Sequence, residues 1–405
     1  MKVLFLTIGQ MGSINDFDIY PDLLRCIKRH GHDVYTVSPY EKRTGLSTKL
    51  IEEDGVKMLH VRIGNITKCG IIEKGLSTIQ IESKFLSAIK KYFADVKFDL
   101  VLYSTPPITF AKVIQYIKKR DNAKTYLLLK DIFPQNAVDL GMMTKSGAKS
   151  VIYKYFRSKE KKLYGISDKI GCMSQANVDY VIKNNPEIPT EKVEICPNSI
   201  EVRDMRIDDN TKASIRKKYG ISLDIKVFVY GGNLGKPQGI PFVIDCLKNQ
   251  RDNNEAYFLI VGDGTEYSKL ESYVNEEKPS NVCLMKKLPK EDYDRMIGSC
   301  DVGLIFLDHR FTIPNFPSRL LDYMQAGLPV LACTDTNSDI GKVITEGGFG
   351  WWCESNDTSG FNSRIKEICS PDNSIKNKIL NSYEYLVDNY EVNIVVQKVL
   401  KNHGM

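Results

Sequence analysis

Pro317-Ser318-Arg319-Leu320-Leu321-Asp322-Tyr323-Met324-Gln325-Ala326-Gly327-Leu328-Pro329-Val330 sets a helix-then-strand unit on which the rest of the fold is built. A loop from Phe311 leads into it. Proline in the first helical turn starts a helix, and the Gly-x-Pro that follows stops it. The apolar run Val330-Leu331-Ala332-Cys333 then reads as a buried strand. Arg319 and Asp322 stand three residues apart and share one helical face. Ser318 and Arg319 sit at the helix start, where backbone N–H groups and the dipole favour an anion. A diphosphate suits that position, with Asp322 one turn further on to accept hydrogen bonds from a ribose. The ordinary alternative is a surface helix with salt bridges.

Outward from this unit, short apolar runs alternate with helical patterns. Strands are expected at 226–230, 256–261, 281–285, 301–306, 329–333 and 348–352 in the second half. In the first half they are expected at 2–8, 33–38, 56–61, 99–103, 124–130, 168–173 and 192–196. Helices fill 16–30, 77–94, 107–120, 148–164 and 175–185. This alternation predicts parallel sheets covered by helices on both faces. The pattern restarts after Pro197-Asn198-Ser199-Ile200, across the polar stretch Glu201 to Asn210. The fold class is therefore α/β, with two Rossmann-like doubly wound domains facing a cleft, residues 1–203 and 204–405. The segment 373–402 reads as helices, and its last helix, about 385–402, packs on the second domain or crosses back to the first.

Ligands gather at the C-terminal ends of parallel strands. Five further turns stand there. Tyr230-Gly231-Gly232-Asn233-Leu234-Gly235-Lys236-Pro237-Gln238-Gly239 follows a buried strand; its glycines let backbone approach a phosphate and Lys236 can neutralise one. It lacks the Gly-Lys-Ser/Thr of a triphosphate-binding loop. Val261-Gly262-Asp263-Gly264 is a second such turn, equally readable as plain tight-turn glycine. In the first half, Thr125 to Leu129 is an apolar strand closed by Lys130-Asp131-Ile132-Phe133-Pro134-Gln135. Charged residues closing a buried strand point to function, the alternative being an ordinary solvated turn. Ser104-Thr105-Pro106-Pro107 and Gly9-Gln10-Met11-Gly12-Ser13 end the neighbouring strands. Gly12, Ser13, Thr105 and Lys130 are the candidate acceptor-side residues.

The chain has 405 residues and is 42% hydrophobic. No run approaches the roughly 18 apolar residues of a membrane span. The start, Lys2 to Ile8, reads as a strand and not as a signal peptide. Ten scattered cysteines without a CxxC pair suggest reduced, buried thiols and a cytoplasmic setting. His30, His32, His60, His309 and His403 lack metal-ligand spacing, so no zinc site is expected; no other metal and no cofactor are expected either. Residues 1–200 carry 31 Lys+Arg and 21 Asp+Glu, a balance of +10; the whole chain is +6, so the rest is −4. A basic first half suits an anionic acceptor or surface, or equally two domains with different solvated faces. Lys145, Lys149, Lys154, Arg157, Lys159, Lys161 and Lys162 are interleaved with Tyr153, Tyr155, Phe156 and Tyr164. Such a mixture on a helix suits peripheral contact with an anionic membrane, or equally an ordinary solvated helix.

Together the Asp131-Ile132-Phe133-Pro134-Gln135 turn, the Pro197-Asn198 boundary, Tyr230 to Gly235, Val261 to Gly264 and Pro317-Ser318-Arg319 through Val330 resemble the retaining glycosyltransferases of family four. Their bacterial capsule and O-antigen branch is the nearest in pattern. The resemblance covers nearly the whole chain and implies the GT-B fold. It implies a nucleotide-diphosphate sugar, UDP-sugar favoured, held by the second domain. Its partner is a lipid-linked or saccharide acceptor on the first domain, with no nucleic acid involved. The sugar transferred is a hexose or an N-acetylhexosamine. The family's pair of acids falls on Pro314 and Asp322, so the first carboxylate is missing. Its usual Arg and Lys of the glycine loop are replaced by Asn233 and Gln238. Lys236 and Arg319 then supply the phosphate-facing charge and, with Asp131, are the candidate catalytic residues. Gly232, Asn233, Gly262, Asp263, Gly264, Leu288, Asn315, Phe316, Ser318 and Asp322 are the candidate donor-binding residues.

Two other readings keep the same fold: a sugar-nucleotide epimerase, which needs acids and histidines in the cleft, and a catalytically weak partner subunit, suggested by Pro314. A nicotinamide oxidoreductase is disfavoured, since the first turn lacks GxGxxG and the second strand ends at Ser38 in place of an acid. Asp16-Phe17-Asp18, which looks like a metal motif, opens the first helix as a charged turn.

Overall fold

A computed structural model describes residues 1–371 and 375–401. The chain divides into two compact units, Met1–Glu201 together with the chain from Val392, and Val202–Glu391. The first unit holds strands β1 (Lys2–Leu6), β2 (Asp33–Glu41), β3 (Lys49–Glu53), β4 (Val56–Ile63), β5 (Leu100–Ser104), β6 (Lys124–Leu129), β7 (Lys169–Cys172) and β8 (Val193–Ile195). They form one sheet in the order β3-β4-β2-β1-β5-β6-β7-β8. The second unit holds β9 (Lys226–Asn233), β10 (Ala256–Asp263), β11 (Val282–Met285), β12 (Val302–Phe306), β13 (Val330–Thr334) and β14 (Gly350–Glu354), in the order β11-β10-β9-β12-β13-β14. Pairing in the second sheet is parallel throughout. Helices on both faces make the central strands apolar on both sides, which is why β5, β12 and β13 are buried along their whole length.

The sequence pattern misses β3, which runs antiparallel to β4. Its residues Lys49-Leu50-Ile51-Glu52-Glu53 are mostly exposed, as an edge strand's are. Its hairpin signal was nonetheless present. Asp54 and Gly55 take φ of 45° and 69°, the two positive angles that an Asp-Gly turn supplies. Both chemically suggestive acids of Asp16-Phe17-Asp18 are occupied locally. Asp18 caps the helix Ile19–Arg29 by accepting from Ile19 N, and Asp16 accepts from Ser13 N.

The helical tail is two helices, Ile375–Tyr390 in the second unit and Val392–Lys401 in the first. Val392, Val395, Val396, Val399 and Leu400 repeat at helical spacing and are buried with Leu23, Leu24 and Ile27. Val392 N donates to Ile200 O, and His30 Nε2 lies 2.7 Å from Asn393 Oδ1. His403 and the last position of the expected helix lie outside the described residues. No described helix is long and apolar enough to cross a membrane.

Candidate active site

In the second unit the ends of β9, β10 and β12 carry the candidate donor residues. Glycine is required there because the two turns lie against each other. A Cβ on Gly262 would stand 1.9 Å from Gly232 O, and one on Gly264 2.3 Å from Leu234 O. Strands β9 and β10 thus stay paired to their tips, Gly262 beside Gly232 and Asp263 beside Asn233. The close approach that Gly262 and Gly264 permit is used by neighbouring backbone. Gly232 differs: it is exposed, has φ of 126°, and is flanked by the Arg319 guanidinium.

Arg319 is the first residue of the seven-residue helix Arg319–Gln325. Its Nη1 donates to Gly231 O at 2.8 Å, and its guanidinium lies 4.3 Å from the centre of the Tyr230 ring. Three tyrosines fix this arrangement. Tyr230 Oη donates to Asn233 O. Tyr323 Oη accepts from Gly231 N and donates to Leu304 O, joining β9 to β12. Tyr293 packs so closely on Gly231 that a Cβ there would meet its Oη at 1.8 Å. A guanidinium stays charged at any ordinary pH and presents several donors in a plane, so it suits a diphosphate. Lys236 is exposed on the same turn. Asn233 and Gln238, which replace the expected cations, bind each other: Gln238 Oε1 accepts from Asn233 Nδ2 and from Gly235 N.

Arg319 and Asp322 do not pair with each other. Arg319 turns to the glycine backbone, and Asp322 meets Lys290 Nζ at 3.1 Å. The N–H groups of Leu320 and Leu321 are taken by Pro317 and Ser318 carbonyls, so the helix start offers less to an anion than its sequence suggests. Asn315 N donates to Ser338 Oγ, which in turn donates to Asp335, so the loop before the helix is tied to the turn after β13. Phe316 lies 6.2 Å from Tyr390, ring to ring. Pro314 is buried, Ser318 is exposed, and Leu288 is half-buried after β11. Asp263 is exposed and accepts from its neighbour Gly264 N.

In the first unit, adjacent strands β1, β5 and β6 bring Gly12, Ser13, Thr105, Lys130 and Asp131 to one end of the sheet. Thr105 Oγ1 accepts from Lys130 N and Asp131 N and donates to Asp131 O, so it clamps the charged turn. Burial pushes the Asp131 carboxyl up to about 6, against the pull of a 2.7 Å hydrogen bond from Asn136 Nδ2 and one from Ile132 N–H. Two expected side chains are already engaged. Lys130 Nζ donates to Cys196 O at 3.2 Å, and burial lowers its pKa. Ser13 Oγ donates to Glu53, on the strand that the sequence pattern missed. Tyr230 and Tyr323 stand within the quoted motifs but were given no role there, and Tyr293 and Lys290 were not singled out. Neither of the last two belongs to a glycine turn or to the Arg319 stretch.

Known proteins share this fold. Residues 211–385 match the family described as Glycosyl transferases group 1. The chain is 26% identical over 330 residues to the probable glycosyltransferase WbjE of Pseudomonas aeruginosa, covering 81% of this chain and 79% of that one. It is 22% identical over 249 residues to the putative colanic acid biosynthesis glycosyl transferase WcaI of Escherichia coli, covering 60% of each. The structure of Anabaena HepE in complex with UDP and glucose superposes with a TM-score of 0.71 at 14% identity, over 99% of this chain and 98% of that chain. The fold is GT-B. The chain is a glycosyltransferase.

Proposed function

We propose that the chain transfers a hexose or N-acetylhexosamine from a nucleoside-diphosphate sugar, UDP-sugar favoured, to a lipid-linked or saccharide acceptor in surface polysaccharide assembly. Residues 1–203 hold the acceptor and 204–405 the donor. One observation carries this reading: a permanent cation, Arg319, is fixed on Gly231 O beside the open Gly232 turn at the end of a parallel strand. HepE was solved with UDP and glucose, and WcaI is named for colanic acid biosynthesis, which support the donor and the pathway class. The donor diphosphate lies against Arg319 and Lys236, which stabilise the charge that grows as the anomeric bond breaks. The ribose hydroxyls donate to Asp322. Asp131 accepts the hydrogen bond of the attacking acceptor hydroxyl, and attack from the leaving-group face retains configuration. Incubation with labelled UDP- and GDP-sugars and a diphosphate-lipid saccharide tests this. Transfer from a UDP-sugar with a retained anomeric signal is expected; sugar release without a glycosylated product, or inversion, would contradict it.

The enzyme works in the cytoplasm, on the inner face of the membrane. Residues 140–159 contain no acid and five cations, Lys145, Lys149, Lys154, Arg157 and Lys159. Among them Met142, Val151, Ile152 and Tyr155 are 56%, 68%, 55% and 44% exposed, the pairing of apolar tips and lysines that suits an anionic lipid surface. Phe156 packs on Phe133 of the Asp131 turn, so this face is continuous with the proposed acceptor site. Co-sedimentation with phosphatidylglycerol vesicles is expected to weaken when Lys154, Lys159 and Lys162 are neutralised; unchanged binding would count against the contact.

A further inference from the structure

We infer that Lys290 is a positioning residue for the donor's ribose, acting through Asp322; this rests on the donor site proposed above. Lys290 opens the helix Lys290–Gly298, directly after Pro289. A cation in the first turn opposes the helix dipole, and an acid there would serve the helix better. Two carboxylates offset that cost. Asp294 Oδ1, one turn on, lies 2.6 Å from Lys290 Nζ, and Asp322 Oδ1, from the helix that carries Arg319, lies 3.1 Å away. A residue placed against local preference and held by a partner on another helix marks a site where function overrides stability. The consequence falls on Asp322. Its side chain is 36% exposed, and Lys290 holds one of its oxygens, which fixes the carboxylate's direction. Among the described residues only Oδ1 is held by Lys290, which leaves Oδ2 of this partly exposed carboxylate for a hydroxyl. A vicinal diol can donate to both oxygens of a carboxylate held in this way. Lys290 also offsets the negative charge that Asp322 and Asp294 would otherwise present to an incoming diphosphate.

The test is a double-mutant cycle on the full chain, with UDP as the probe and KM for the donor sugar as a second readout. Wild-type binding of UDP is measured first; its absence would count against the uridine donor reading, and the cycle then runs with GDP. Lys290→Met is expected to weaken nucleotide binding and raise donor KM about tenfold, the scale of one hydrogen bond to a charged group, with kcat nearly unchanged. Lys290→Arg is expected to restore most of the loss. In the Asp322→Asn background, Lys290→Met is expected to have no further effect, because the two residues act as one unit. Additive losses in the double variant, or a fall in kcat at constant KM, would overturn the inference while leaving the donor site standing. Matching thermal melts of the variants exclude misfolding as the cause.

Discussion

The two units end their parallel strands in different chemistry. At β9, β10 and β12 the decisive charge is a guanidinium locked among tyrosines and glycine backbone, indifferent to pH. At β5 and β6 it is a carboxyl whose burial lifts its pKa to about 6, close to working conditions. A fixed cation suits the stabilisation of a leaving diphosphate. A carboxyl near neutrality suits hydrogen bonding to a hydroxyl that is losing its proton. Under the proposed function, one unit supplies the fixed charge and the other the group that titrates.

The comparison breaks most easily at Arg319. Arg319→Ala is expected to lower kcat by roughly 100- to 1,000-fold, as loss of one preorganised electrostatic group does, with the fold intact by circular dichroism. Full activity in that variant would remove the fixed cation from the account. Asp131→Asn is expected to cost about 100-fold in kcat. Wild-type activity should rise with pH through about 6 as Asp131 ionises, and the variant should lose that limb. The stability sign is opposite. A carboxyl with a raised folded pKa stabilises the fold most below its unfolded pKa and loses that contribution as pH rises through about 6. Asp131→Asn should therefore melt higher than wild type at pH 8; a lower melt would contradict burial as the cause. The smallest expected effect is structural. Gly264→Ala puts a Cβ 2.3 Å from Leu234 O, and should cost about 1–3 kcal/mol in denaturant unfolding. No loss there would mean the two turns are not packed as described.

Much of the fold was legible because parallel strands buried on both faces are continuous apolar runs; β5 and β12 needed nothing more. β3 was not, since an exposed edge strand has no apolar stripe, although Asp54-Gly55 announced its turn. At the strand ends the positions of charge, as at Lys130 and Asp131, and of turn glycines were legible. Direction was not. Lys130 looks outward in the sequence and bonds inward to Cys196 O. Arg319 and Asp322 look like a pair at helical spacing, yet each finds a partner from a distant part of the chain, Gly231 and Lys290. Such partners depend on tertiary packing that spacing alone does not encode.

The most direct measurement is a thermal-shift panel of nucleotides and nucleotide sugars on the wild-type chain and on Arg319→Ala. A ligand that binds only the folded protein raises its apparent melting temperature. A clear rise with UDP or one UDP-sugar in wild type, lost in Arg319→Ala, is the predicted result. An equal rise in both proteins would contradict the claim that Arg319 at the end of β9 holds the donor's diphosphate.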